Sequence, residues 1–582
     1  MTRFRLGAVL GFSCALALIP ATGSLAAAAA STGPAAYRGT PGSAARMTHA
    51  PDVSGLPKVA SAFRNEGPLM FTALRAARAS SGSAAAAPAM SANASVSSPA
   101  AVSVSRGANG GVSVVHQFNG VSNLNSETLN GFPITPPDQG LCVGRDATLA
   151  GAPKAVWEPV NIAARETSPG GGLLRPDVSL STLFHDPYAE GDVRCLYDPA
   201  TQSFYFTEIG FPVASGPASD SNNTTVDVLV MNARGVASYQ FDTSLGGPAA
   251  GDCFGDQPKT GFTSNALVVS TDEYCGPTES DYRGAIVLAI SKSQLVHEDA
   301  TVKDSVLGPV SLSGIPVTGL DPAIGTGMSN GYLVNSFPFD ASGNNNPVAS
   351  TVGVWSLRNA ASVTTGHGTP VLTGRAAPSE PYAFPVPARS TGDGSTYKVN
   401  GSVITSEKYL NPDDSRMSGP VTVSRGSGGG VQLWTALDAA VSVKGAPSDA
   451  AAWFRIDPGP GKVTGQGYVV AQGANLLYPA IQPQRHGSAA MVFTVTGRHI
   501  NPSAAYTTLG SRTITTVAAG ASPHVSFSDA PPYNTARWGD YSFAALDPGG
   551  SGIWLATEYI PPAADQDPFD NWGTSVFEVS GP

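Results

Sequence analysis

Gly191-Asp-Val-Arg-Cys-Leu-Tyr-Asp-Pro199, answered by Phe204-Tyr-Phe-Thr-Glu208, is the stretch from which the fold is read. A polar turn opens an apolar run, Asp198-Pro-Ala-Thr-Gln202 supplies turn residues, and an aromatic run returns, which together read as a β-hairpin. The pattern recurs. Gly255-Asp-Gln-Pro-Lys-Thr-Gly261 precedes Ala266–Glu273, Gly319-Leu-Asp-Pro-Ala-Ile-Gly325 precedes Tyr332–Asn335, and Tyr478-Pro-Ala-Ile-Gln482 precedes Met491–Thr494. Arg537-Trp-Gly-Asp-Tyr-Ser-Phe-Ala-Ala545 precedes Ile553–Glu558, with Asp547-Pro-Gly-Gly-Ser551 as its turn, and Pro137-Asp-Gln-Gly-Leu-Cys-Val143 precedes Ala155–Glu158. Aspartates fall at 138, 192, 256, 321 and 540, with Ala480 in the equivalent place. The interval between 321 and 480 has room for one further unit, with Val431–Leu437 and Ala452–Ile456 as strands, and for an insertion. Seven units of roughly 60 residues, each of four strands, predict an all-β chain folded as a seven-bladed β-propeller over residues 113–582. Ser113–Phe118 is expected to add a strand to the last blade.

Composition agrees. The 582 residues include 66 Gly and 48 Pro but only 13% charged residues, which excludes a coiled coil or helical bundle, while 42% hydrophobic content can support a core. Residues 1–112 carry nine Lys/Arg against two Asp/Glu; the rest carry 24 against 41. So acidic a domain excludes a general nucleic-acid partner and favours cations or neutral polar ligands.

Arg3 and Arg5, an apolar stretch from Leu6 to Leu25 and the small residues Ala26–Ala30 have the order of a signal peptide, assigned to residues 1–30, so a secreted, extracellular protein is expected. No later segment is apolar enough to span a membrane, and a monomer is expected. Residues 31–112, rich in Ala, Ser, Gly and Pro, read as a disordered extension or pro-segment. Cys142, Cys195, Cys253 and Cys275 then face an oxidising compartment. Cys142 and Cys195 take nearly the same inner-strand position in neighbouring blades, and Cys253 and Cys275 flank one hairpin, so the bonds Cys142–Cys195 and Cys253–Cys275 are predicted.

Pro136, Pro137, Asp138, Gly140 and Gly144, with Arg194–Pro199 and Arg537–Ser542, give residues 113–582 a resemblance to secreted bacterial β-propeller proteins of mostly unassigned function, distantly similar to sialidase-type propellers. The resemblance implies the fold and export, and adds little chemistry.

The repeat itself places candidate chemistry at the mouth, where first strands begin and second strands end. Asp192 with Glu208, Asp256 with Glu273 and Asp540 with Glu558 are separated by 16, 17 and 18 residues, the length of an out-and-back hairpin, so the mouth is expected to be ringed with carboxylates. Carboxylates suit glycoside hydrolysis, or lyase chemistry on a polysaccharide. Repeated aspartates suit a scaffold role, bonding the backbone of the adjacent blade, better than a catalytic one; the glutamates, present in fewer blades, are the stronger functional candidates. Arg194, Arg537, Trp538, Tyr382 and Tyr478 are candidate sugar-binding residues. A sialidase would need three arginines, for which Arg194, Arg389 and Arg537 are the candidates, and its Asp-box is only approximated at Thr391-Gly-Asp-Gly-Ser-Thr-Tyr397. Asp220–Asp227 and Asp413-Asp414 read as turn residues. No cofactor is required, and Ca²⁺ is the one cation such oxygen ligands suggest. Two function classes stay open: an enzyme, glycoside hydrolase or polysaccharide lyase, acting on an extracellular glycan, and a non-catalytic binding or adhesion propeller.

Overall fold

The computed structural model describes residues 34–42, 44–49, 103–105, 112–186, 191–210, 224–243, 253–275, 281–426, 428–484, 488–528, 535–549 and 552–580. The expected signal peptide and residues 50–102 lie outside them. Strands dominate, and the helices among the described residues are short, such as Asn123–Asn130 and Leu180–Phe184.

The chain proceeds as one antiparallel meander after another. The first comprises Cys142–Arg145, Lys154–Val160, Ala163–Thr167 and Val178–Ser179; the second Gly191–Asp198, Ser203–Gly210, Thr225–Asn232 and Gly235–Asp242; the third Cys253–Phe262, Ala266–Cys275, Asp281–Ser291 and Asp304–Leu312. Asp321–Pro322, Gly331–Asn335, Val348–Arg358 and Val371–Ala383 follow, then Thr422–Arg425, Val431–Val443, Ala446–Asp457 and Lys462–Val469, the two groups joined by the bridge Ala383–Ala440. Leu437 pairs with Ala452, as the interval between 321 and 480 had suggested. Asn475–Pro483, Ala489–Gly497, Ile500–Thr508 and Thr513–Ala518 form the next meander. In the last, Phe543–Leu546, Gly552–Tyr559 and Gly573–Ser580 are completed by Val114–Ser122, which pairs antiparallel to Gly573–Ser580.

These strands form because their runs are β-branched and aromatic and both faces are covered. Leu229, Val230 and Met231 are consecutive and all fully buried. Both predicted disulfides are present. Cys142–Cys195 links the first strands of two successive meanders, and Cys253–Cys275 joins residues that are also β-partners, with Cα atoms 4.0 Å apart.

Where residues 31–112 are described, they pair with sheet edges: Ala35–Arg38 with Val371–Gly374, Thr40–Pro41 with Ser305–Val306, Ala45–His49 with strands at Tyr239 and Thr301, and Ser103–Ser105 runs parallel to Thr513–Thr515. Their backbone completes exposed sheet edges, and Tyr37, Ala45 and Met47 pack on the apolar clusters beneath. Asp227 is not a turn residue; it is buried within Thr225–Asn232.

Candidate functional site

The first strands of several meanders open on a bulge, and the bulge aims the side chains. Pairing skips between Gly191 and Arg194, between Asp256 and Lys259, and between Leu477 and Ala480. At each skip one residue takes a left-handed backbone: Asp192 (φ 51°), Gln257 (φ 49°) and Tyr478 (φ 52°). The true equivalents of Asp192 are therefore Gln257 and Tyr478, one residue after Asp256 and two before Ala480. Asp138 has the same conformation (φ 44°). A bulge re-aims its side chain out of the ladder.

Here Asp138, Asp192 and Asp540 come together, each offering a carboxylate oxygen within 4.8 Å of the others, and all three are buried. Asn161 binds the first two: its Nδ2 donates to Asp138 Oδ2 at 2.7 Å, and its Oδ1 accepts from the Asp192 backbone at 2.8 Å. Arg537 donates to Asp540 Oδ1 at 2.7 Å. The Arg194 guanidinium lies 3.4 Å from the centre of the Tyr541 ring, a cation–π contact. Arg416 binds Gln257, Asp413 and Asp414 and lies 3.7 Å from Asp272, so Asp413 and Asp414 serve an ion-pair network. Lys259, buried and 3.9 Å from Asp321, is lowered to about 8 by burial.

The structure brings together Asp192, Asp540, Arg194 and Arg537 among the expected site residues. The glutamates answer to different neighbours. Glu558 lies beside Gly539 and Gln139 and feels Asp540; Glu273 accepts from Thr271 at 2.6 Å; Glu208 pairs across the sheet with Asp227. All three are fully buried, and burial raises Glu273 to about 8 and Glu558 well above the carboxylate range. Asp256 is partly buried and donates no geometry to the triad of aspartates. The aromatic candidates are packed in apolar clusters. Tyr382 donates to Thr351 O at 2.7 Å, Trp538 Nε1 donates to Thr494 Oγ1 at 3.1 Å, and Tyr478 donates to Asn411 O at 2.7 Å. Arg389 donates to the carbonyls of Gly392 and Lys408.

The burial has a cause. The segment 384–421, the insertion between two meanders, pairs Leu410 with Ala536 and packs Ala388 and Leu410 on Tyr478, Trp538 and Trp572. An open cavity of about 460 Å³ is lined by Tyr397, Ser406, Ser522, Gln566, Asp567 and Asn571, among others. Tyr397 stands on the hairpin Thr396–Val399 with Ser402–Ser406, and 42% of it is exposed. Asp567 shares a hydrogen bond with Glu127, which that bond, burial and the Asp567 charge raise to about 7. Sequence reading passed over Glu127, Asp567 and Asn161; Gln257, within Gly255–Gly261, Tyr397, within the Asp-box-like stretch, and Tyr541, within the Arg537–Ser542 motif, stood in quoted segments but were not singled out.

No protein-family model matches the chain, and no curated protein matches it. Among solved structures, an α-L-arabinofuranosidase of Fusarium graminearum is 10% identical, with a TM-score of 0.30, covering 79% of this chain and 97% of its own. The extracellular domains 1–2 of Drosophila Semaphorin 1b are 9% identical, TM-score 0.30, covering 80% and 86%. A Trypanosoma rangeli sialidase with sialic acid is 9% identical, TM-score 0.28, covering 65% and 52%. Scores of this size assign no activity to this chain.

Proposed function

We propose that residues 113–582 form a seven-bladed β-propeller, exported to an oxidising compartment, that binds extracellular carbohydrate in the cavity around Tyr397. Support for the propeller is the succession of four-stranded meanders, the completion of the last by Val114–Ser122, and the approach of its opening to that of the first, where Gln139 donates to Tyr541 O at 2.8 Å. Two disulfides support export. The observation that carries the ligand class is a partly exposed tyrosine beside hydroxyl, amide and carboxylate groups in an open cavity. A ring face for an apolar sugar face, with hydrogen-bonding groups beside it, is what a neutral polar ligand needs. The central carboxylates give less support, because they are buried and engaged with one another's scaffolding.

A glycan panel read by calorimetry tests this. At least one neutral polysaccharide or oligosaccharide should bind, and Tyr397→Ala should weaken it at least tenfold at unchanged melting temperature. Binding indifferent to Tyr397→Ala would refute the site. A second reading, glycoside hydrolysis, is favoured by Glu127: a carboxyl titrating near 7 beside an acidic partner is suited to protonate a leaving oxygen. Release of reducing ends that Glu127→Gln abolishes without loss of binding would establish it; binding with no release leaves the non-catalytic reading.

A further inference from the structure

The segment from Ala35 to His49 crosses the last strands of three successive meanders. Ala35–Arg38 lies on Val371–Ala383, Thr40–Pro41 on Asp304–Leu312, and Ala45–His49 on Thr301–Val302 and Gly235–Asp242. Further backbone bonds follow the same path. Gly39 N donates to Pro370 O at 2.8 Å, Gly42 N to Asp304 O at 3.1 Å and Met47 N to Ala300 O at 3.2 Å. Bonds of this kind would hold any extended chain; what surrounds the side chains is selective.

Tyr37 straddles two meanders. Its backbone partner is Leu372 in one, while its hydroxyl donates to Ser311 O at 2.9 Å and accepts from Ser311 N at 2.7 Å in the other. A residue without that hydroxyl leaves both Ser311 groups short of a partner. Gly39 is buried, and a Cβ there would stand 3.1 Å from Pro370 Cδ and 3.3 Å from Ser305 Cβ. A Cβ at Gly42 would overlap the Asp304 carboxylate. That carboxylate is fixed, because Asp304 is buried and its Oδ1 accepts from Ala44 N at 3.1 Å. Ala44 then turns the chain (φ 56°), and Ala45 and Met47 pack into the apolar cluster beneath. Arg38, Thr40 and Arg46, between these positions, are exposed.

We propose that these three edges form a peptide-binding groove that recognises Tyr-x-Gly-x-x-Gly-x-Ala-Ala-x-Met in extended form, with residues 34–49 as its tethered ligand, so that cutting the chain within residues 50–102 gives a two-piece protein and releases no pro-segment. The mode is strand addition. Backbone bonds supply affinity, and the tyrosine pocket and the two glycine positions supply specificity. Recognition then belongs to the sequence of the segment and not to its covalent link, so an identical peptide in solution can take its place.

The full chain with a site-specific protease sequence inserted within residues 50–102 tests this. After folding and cutting, the N-terminal fragment should co-elute one to one with the remainder in gel filtration. A fluorescent peptide of residues 34–49 should enter the cut protein, read by anisotropy, and the unlabelled peptide should compete. Peptides carrying Tyr37→Ala, Gly39→Val or Gly42→Val should compete at least tenfold more weakly, whereas Arg38→Ala and Arg46→Ala should stay within about twofold of the parent peptide. The proposal is overturned if the fragment elutes apart from the remainder after cutting, or if the tyrosine and glycine variants compete as the parent peptide does. Where the seated fragment leaves too slowly for exchange, the same substitutions placed in the full chain before cutting decide it. Tyr37→Ala and Gly42→Val fragments should then dissociate at least tenfold faster than the parent fragment, and equal rates would overturn the proposal.

Discussion

At the scale of the residue, position within a bulge decides which side chains meet. Asp192 was legible as a repeated aspartate, but its equivalents Gln257 and Tyr478 were not, because a left-handed residue leaves no fixed letter in a sequence. Asn and Asp tolerate that conformation best, so an aspartate register looks natural until a glutamine and a tyrosine occupy the place. Glu273 shows what burial does to one acid. Its folded pKa, about 8, exceeds the 4.5 of an ordinary glutamate, so between those values the folded state holds a proton that the unfolded state has lost. Stability from this group is full below pH 4.5 and falls as pH rises toward 8. Glu273→Gln keeps an acceptor for Thr271 and removes the titration. Urea melts at pH 5, 6.5 and 8 should show the variant gaining on the parent with rising pH, on the order of 1 kcal/mol per unit. A constant difference would show that Glu273 is ionised in the fold.

At the scale of the element, the hairpins were legible because aromatic and β-branched runs are bounded by Asp-Pro and Gly turns. The edge strands were not. Ala35-Ala-Tyr-Arg38 has no hydrophobic period long enough to mark a strand; its partner at Val371–Gly374 supplies the ladder. Tyr37 anchors it, donating to Ser311 O at 2.9 Å and accepting from Ser311 N at 2.7 Å, with its ring 6.2 Å from that of Trp355. Tyr37→Ala should therefore cost about 1–2 kcal/mol in chemical denaturation. Deleting residues 34–49 should go further and open the outer edges at Val371–Gly374, Ser305–Val306 and Tyr239. Light scattering should then report concentration-dependent association that the parent does not show. A truncated chain that stays dispersed would mean those edges are protected by other means. The insertion 384–421 was foreseen only as spare length. That it packs on Tyr478, Trp538 and Trp572 could not be read, since Leu410 and Ala536 meet across 126 positions.

At the scale of the whole molecule, buried acids set the response to pH. Burial raises Glu158 and Asp449 to about 7, Glu273 to about 8 and Asp321 to about 6, each above its unfolded value. His524 pulls the other way, lowered to about 4 by burial, so it disfavours the fold as pH falls below 6.5. Four carboxyls outweigh one imidazole. The folded state binds more protons than the unfolded one between about pH 5 and 7, and stability should decline across that interval. Thermal unfolding in matched ionic strength should give a lower midpoint at pH 7.5 than at pH 5.5; a rising midpoint would mean that these acids are ionised when folded. The repeat and its approximate unit were legible at this scale, because each meander rewrites the same hairpin. The cavity at Tyr397 was not, since its walls come from a hairpin and two further segments that carry no shared motif.

The seam between Val114–Ser122 and Gly573–Ser580 also governs when the molecule can be finished. Ser113 meets Ser580 across 467 positions, so the last sheet waits until nearly the whole chain has been made. Every earlier meander must persist, or re-form, through that delay, with one flank uncovered. Assembly is thus slow by topology, since the contact that finishes the last sheet is among the longest in the chain.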